Sequence, residues 1–478
     1  MGEPATAAAA FSGALAGAAA LAEDLFGPEA ASLTHAELEE RVAGKGRDLQ
    51  RQFLQDHYDL RAVREVRLPA VVDAQGVPRR HVESGHSRTL TTLHGDVQVT
   101  RMAYRQRGQA NLYPADAALG LPEEQYSHSL RRLAAIEASR GSFDEAVRAV
   151  VRATRAPEPE LPKRQLEEMV QRSAADFDGF YAQLPHPPAE GDNVQVLSAD
   201  GKGIVMRSEA LRPATAQAAA KSTTKLSTRL SKGEKPNRKR MAEVGAVCEV
   251  SPVPRTPQDI LAAGHTGQGR PPAPVAKGKW LIASVVADAA EVIAQIFDEA
   301  ERRDPDHRRS WLGLVDGNNH QLDRFRAEAE DRGVNLTILI DFIHVLEYLW
   351  KATWCFFAQG DPRAEAWVRD KALAVLAGRA GIVAGSIRRK ATCLRLDPAH
   401  RKGADTCAGY LMRKRRYLDY PTALARGWPI ATGVIDGACR HLIKDRMDVT
   451  GARWGLQGAE AVLKLRALRS NGDFDAYW

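Results

Sequence analysis

Apolar residues between positions 20 and 60 recur at helical spacing (Leu38, Val42, Leu49, Phe53, Leu54) and predict a helix. RTLTTL and VQVTRMAY then alternate apolar and polar positions on either side of His94-Gly95-Asp96, the pattern of a β-hairpin. From Tyr126 to Leu184 the helical period returns, enough for about three helices. Ser142 and Glu145 are spaced as a capping box for the second, and Pro162 sits where a first-turn proline belongs. HPPAEGDN (186–193) is a linker, and beyond it the pattern changes. VQVLSAD (194–200) predicts a strand and GIVMR (203–207) a second, joined by a tight Gly201-Lys202-Gly203 turn. Further strands are predicted at EVGAVCEV (243–250), WLIASVV (280–286), WLGLVD (311–316) and NLTILID (335–341). The last three are separated by helical patterns, AAEVIAQIFDEAERR and NHQLDRFRAEAEDRG. Residues 251–278 are rich in Pro and Gly and read as loop, and everything after Phe342 reads mainly as helix. Strands in hairpin succession, then alternating helix and strand, then helices describe a mixed α/β sheet with helices on its faces.

A chain of 478 residues is too long for one ordinary core and predicts two or three domains. Its 44% hydrophobic and 27% charged residues exclude a disordered, collagen-like or membrane-embedded protein. The net charge of +7 is localised. Lys221, Lys225, Arg229, Lys232, Lys235, Arg238, Lys239 and Arg240 stand against one acid, Glu234, so this one segment carries the whole excess. Such a segment suits a polyanionic partner. Three helices with basic faces (Arg131, Arg132, Arg148, Arg152, Arg155) fit either a helix-turn-helix module or a plain bundle with solvated arginines. The five cysteines are odd in number and form no C-x-x-C pair, which argues against a disulfide framework or structural zinc and for the cytoplasm. No strongly apolar run of 18 residues is present, so no membrane partner is expected. Gly-His-Thr-Gly-Gln-Gly (264–269) follows no strand and no Walker A motif occurs, so no nucleotide cofactor is expected either.

Three predicted strands end in aspartate: Asp200, Asp316 and Asp341. Any one of them alone reads as a turn or cap residue. Three carboxylates on one rim of a sheet, however, supply the oxygen ligands that Mg²⁺ or Mn²⁺ takes. Two such ions clamp the attacking and leaving oxygens of a phosphodiester.

The segments VLSADGKGIVM, WLGLVDGNNHQLDRF, ILIDFIHVLEYLWKAT and GVIDGACRHLIKDRMDVTGARWGLQGAEAVLKLRAL, in this order, resemble insertion-sequence transposases of the ISKra4 family. That family is related more distantly to Mutator-like and ISLre2-type transposases. The hairpin RTLTTLHGDVQVTRMAYR and the segment LPEEQYSHSLRRLAA extend the resemblance over nearly the whole chain. It implies a DDE-type enzyme with a ribonuclease-H-like mixed sheet flanked by helices. It also implies an N-terminal DNA-binding region (1–185), mainly helical with a β-hairpin, and a catalytic domain (190–478) with a basic insertion (210–242) and a helical insertion (346–425). Asp200 would be the first acid and Asp316 the second. Asp341 and His344 would be the supporting Asp-x-x-His element. The family's third acid is Glu, and here that position is Asp436, one methylene shorter. Glu460 is the nearest downstream alternative. Arg440, four residues after Asp436, would share its helix face. Arg388, Arg389 and Lys390, with Arg413, Lys414, Arg415 and Arg416, would grip the DNA backbone beside the Lys221–Arg240 segment. The implied cofactors are two Mg²⁺ (or Mn²⁺) ions held by Asp200, Asp316 and Asp436. The implied partners are double-stranded DNA, at element ends and target, and further copies of the chain, as a homodimer or higher assembly on DNA. The implied location is the nucleoid. Two alternatives come with this reading: a nuclease of the same fold that cuts without joining, and a decayed transposase that only binds element ends.

Overall fold

The computed structural model describes residues 6–154, 161–185, 193–221, 238–261, 271–431, 433–449 and 451–478. The chain divides into two compact units, Met1–Ser173 and Ala174–Trp478.

In the first unit a long helix, His35–Arg64, opens with a capping box between Thr34 and Glu37. Two-residue strands β1 (Val71–Val72) and β2 (Pro78–Arg79) pair antiparallel. The predicted hairpin is formed by β3 (His81–Thr92) and β4 (Gly95–Arg105). Its turn is Leu93-His94, one residue earlier than the sequence suggests, because Gly95 already pairs with Thr92. Leu90, Val97 and Val99 bury the hairpin's inner face against Leu54 and Tyr58 of the long helix. Helices His128–Arg140, Phe143–Thr154 and Lys163–Ser173 complete the unit, packing through Ala134, Ala138, Val150, Leu166 and Val170. The Ser142–Glu145 capping box forms, with Glu145 accepting from the Ser142 amide at 2.7 Å. Arg148 and Arg152 are exposed, Arg131 pairs with Glu124 at 3.3 Å, and Arg155 lies outside the described residues.

The second unit begins ahead of the expected linker. Helix Phe177–Gln183 belongs to it, because the Tyr181 hydroxyl donates to Asp473 at 2.9 Å and accepts from Asn471 at 2.7 Å. The unit is mixed α/β. Its five-stranded mixed sheet comprises β5 (Val194–Val205), β6 (Lys239–Val250), β7 (Ala276–Ser284), β8 (Trp311–Val315) and β9 (Leu336–Ile340). The order is β7-β6-β5-β8-β9, with β7, β6 and β5 antiparallel and β5, β8 and β9 parallel. This is compatible with a ribonuclease-H-like fold. One face is covered by helices Ala289–Arg303 and Asn319–Asp331. Gly245 permits the first to approach closely, since a Cβ there would stand 2.7 Å from Ile296. Helices Phe342–Thr353, Pro362–Leu376, Ala380–Cys393, Lys402–Arg413, Gly433–Ala438 and Leu456–Asn471 follow, as the pattern predicts.

One local expectation is overturned. Residues 201–203 form no turn: β5 runs straight through them, pairing with β6 residue for residue from Val194↔Val250 to Val205↔Lys239. Glycine is a turn signal only where nothing else claims the backbone, and here the pairing with β6 continues through both glycines and keeps them extended.

Candidate catalytic site

Parallel register brings the first two acids to the same end of adjacent strands. Leu197 of β5 is level with Gly313 of β8, the last rung the two strands share. Asp200 and Asp316 each lie three residues beyond it. Asp200 is still within β5, whereas Asp316 is the first residue past the end of β8. Asp200 Oδ1 accepts from the Gly201 amide and Asp316 Oδ1 from the Asn318 amide, each at 2.7 Å. Val315 is likewise level with Ile340, which brings Asp341 to the same rim. Asp341 is used differently: 4% exposed, it caps helix Phe342–Thr353 by accepting from the Ile343 amide at 2.7 Å. His344, one turn later, is partly exposed and stands 3.8 Å from Glu347.

The helix bearing Asp436 packs against β5 and β6. After Ala438 it widens into a π-helical segment, Cys439–Lys444. Such widenings recur at functional sites. Cys439, which is buried, donates its thiol to Asp200 Oδ2 at 3.2 Å. The Asp436 carboxyl is raised above the usual carboxylate range, first by loss of water and then by the Asp200 and Glu347 carboxylates, while His344 opposes the shift. Asp200, Asp436, His344 and Glu347 therefore share one electrostatic neighbourhood. The Cys439 thiol is pushed well up by burial and by Asp200 and Asp436, so it stays protonated and donates. Glu243, opposite Gly201 on β6, is raised by burial and then by Asp200. The sequence offers no sign of Glu243 or Cys439 beyond their position in an apolar run and beside Asp436.

Other expected residues separate into groups. Arg440 is exposed and lies 3.8 Å from Asp445. Glu460 is occupied elsewhere, accepting from Ser284 Oγ at 2.9 Å and from the Val285 and Val286 amides at 2.8 and 3.2 Å. Lys225, Arg229, Lys232 and Lys235 lie outside the described residues. Lys221 is exposed; Arg238 and Lys239 are partly so. Arg240 is bound to the protein's own carbonyls, donating to Val285 O at 2.7 Å and Ala210 O at 3.4 Å. Arg413, Arg415 and Arg416 are exposed, whereas Lys414 is buried and donates to Asn319 Oδ1 rather than joining the basic surface. Among the described residues, no three His, Cys, Asp or Glu side chains are gathered as a ready-made metal ligand set. No helix among them is long and apolar enough to cross a membrane.

No protein-family model matches the chain, and no curated protein matches it. Among solved structures it is similar to the Drosophila P element transposase strand transfer complex, over 76% of this chain and 83% of that one, at 9% identity and a TM-score of 0.23. A likeness of that size carries no weight for fold or function, and the functional reading rests on the site.

Proposed function

We propose that the chain is a DNA transposase of the DDE type, with Asp436 in the place of the third acid, acting on element ends and target DNA. The observation that supports this reading is the bond from Cys439, on the helix that bears Asp436, to Asp200, which with Asp316 follows the last shared rung of adjacent parallel strands by three residues. The residue types suit a hard cation, since three carboxylates would supply oxygens as a bound ion draws them together, and the neighbouring thiol is protonated. The raised Asp436 carboxyl marks negative charge beside Asp200 that a cation would offset. Asp200, Asp316 and Asp436 would hold two Mg²⁺ ions, whose chemistry is to activate an attacking oxygen and neutralise a leaving one. The chain's own groups then divide the remaining work. The Gly201 amide and the Cys439 thiol each hold one oxygen of Asp200, and the Asn318 amide holds one oxygen of Asp316, so that these groups orient the two carboxylates. The exposed Arg413, Arg415 and Arg416 hold duplex phosphates. Water attack at an element end leaves a 3′-hydroxyl, and that hydroxyl attacks target DNA in the same site. No covalent enzyme intermediate is needed.

The test uses the full chain, Mg²⁺ and duplexes carrying the DNA that flanks its own gene. Cleavage at a fixed end, followed by joining of precut ends to a second duplex, is the expected result. Asp200→Asn and Asp316→Asn remove both steps and leave duplex binding. Cleavage without joining identifies a nuclease, and binding without cleavage a decayed relic; either overturns the reading.

A further inference from the structure

The turn that carries Asp316 is held from above by a helix far along the chain. Tyr410, in helix Lys402–Arg413, donates its hydroxyl to the Asp316 main-chain carbonyl at 3.1 Å. Lys414, four residues on, donates to the side chain of Asn319, where helix Asn319–Asp331 begins. A side chain in this helix and one at its C-terminal cap thus hold both ends of the Asp316–Asn319 turn. The turn fits closely beneath them. Gly317 has φ +89°, and a Cβ there would stand 2.8 Å from the Tyr410 hydroxyl, so only glycine suits both the backbone and the approach. Tyr410 cannot swing away freely, because its ring stacks on Tyr348 with centroids 3.8 Å apart and planes 14° from parallel. Lys351 lies over the Tyr348 ring at 4.6 Å.

Lys414 stands out among its neighbours. Arg413, Arg415 and Arg416 are exposed, but Lys414 is 7% exposed. Burying an ammonium group is costly, and a chain that needed only a basic surface would leave it in water. Its burial serves the turn.

We propose that Tyr410 and Lys414 are positioning residues that set how Asp316 presents its carboxylate to a divalent cation, and that they tie this presentation to the helix bearing the exposed arginines. The inference rests on the reading of Asp316 as a metal-holding acid. Tyr410→Phe removes the hydroxyl and keeps the ring stack. Lys414→Met removes the ammonium and keeps most of the volume. Neither touches the reacting atoms.

The experiment titrates Mn²⁺ into the full-length protein, following free Mn²⁺ by electron paramagnetic resonance, beside the Mg²⁺ dependence of cleavage. Tyr410→Phe is expected to weaken Mn²⁺ uptake about fivefold, the worth of one neutral hydrogen bond, and to raise half-saturating Mg²⁺ by the same factor. Duplex affinity stays at the wild-type value, and thermal stability falls only by what the loss of one hydrogen bond requires. Lys414→Met is expected to move the metal dependence in the same direction. A wild type that takes up Mn²⁺ beside a Tyr410→Phe variant with unchanged uptake and unchanged Mg²⁺ dependence overturns the inference alone. A wild type that takes up no Mn²⁺ overturns the reading of the site and this inference with it.

Discussion

Cys439 donates its thiol to Asp200 Oδ2 at 3.2 Å, joining the start of a π-helical segment to the central strand across 239 positions of sequence. The same carboxylate takes the Gly201 amide on its other oxygen, so its orientation is fixed from two sides. Cys439→Ser keeps a donor at that place, whereas Cys439→Ala leaves the second oxygen without one. Cleavage by the serine variant should stay within about twofold of wild type and that of the alanine variant fall about fivefold, in proportion to one hydrogen bond. Single-turnover rates at saturating Mg²⁺ measure both. Equal losses in the two variants would show that the sulfur's size matters and its donor does not.

Glu460 separates stability from chemistry. Its carboxylate takes the Ser284 hydroxyl and the Val285 and Val286 amides where β7 ends. Glu460→Ala orphans those donors and should cost about 2–3 kcal/mol of folding stability, read from urea unfolding. Assayed where the variant is folded, its half-saturating Mg²⁺ should match wild type. A raised Mg²⁺ requirement with unchanged stability would place Glu460 in the site instead.

Much of this was legible in sequence because it was local. The apolar runs ending in Asp316 and Asp341 become β8 and β9, and the helices between the last three strands fall where the period puts them. Gly201-Lys202-Gly203 misleads for a physical reason: glycine is the strongest local turn signal, while the partner that holds it extended is β6, some forty residues further along. The Cys439–Asp200 and Tyr410–Asp316 contacts have no sequence signature, since each joins residues from distant elements. Asp341 shows that a pattern can locate a residue without revealing its role, because it stands at the expected rim yet is buried as a helix cap.

The basic cluster at 413–416 predicts a divided response. Arg413, Arg415 and Arg416 are exposed and Lys414 is not. Replacing the three arginines by glutamine should weaken binding to every duplex alike. The slope of log affinity against log salt should flatten by about 2–3, near 0.9 for each phosphate no longer neutralised. Lys414→Gln should leave that slope unchanged. Loss of binding to element ends alone, with other duplexes bound as before, would mean that the arginines read bases.

Asp436 should trade stability for activity. Its carboxyl is raised above the usual range by loss of water and then by Asp200 and Glu347, against the pull of His344. A carboxyl raised on folding favours the protonated form in the native state. Its stabilising contribution is present at acid pH, below the unfolded value, and is lost as pH rises through the folded value. At neutral pH the ionised side chain therefore opposes folding. Asp436→Asn removes that charge, so the variant should melt higher than wild type at pH 7–8, and the difference should close as pH falls toward the ordinary carboxylate range. Mg²⁺ should raise the melting temperature of wild type more than that of the variant, because a cation held by the carboxylates stabilises only the form that binds it. Cleavage by Asp436→Asn should be abolished with duplex affinity intact. Asp436→Glu tests the length of the side chain: higher activity would mean that the shorter acid is a loss, and lower activity that the backbone has closed in around it. A variant Asp436→Asn that melts higher and still cleaves with undiminished Mg²⁺ dependence would remove this residue from the chemistry and leave Asp200 and Asp316 to be matched with Glu243 as the next carboxylate in reach.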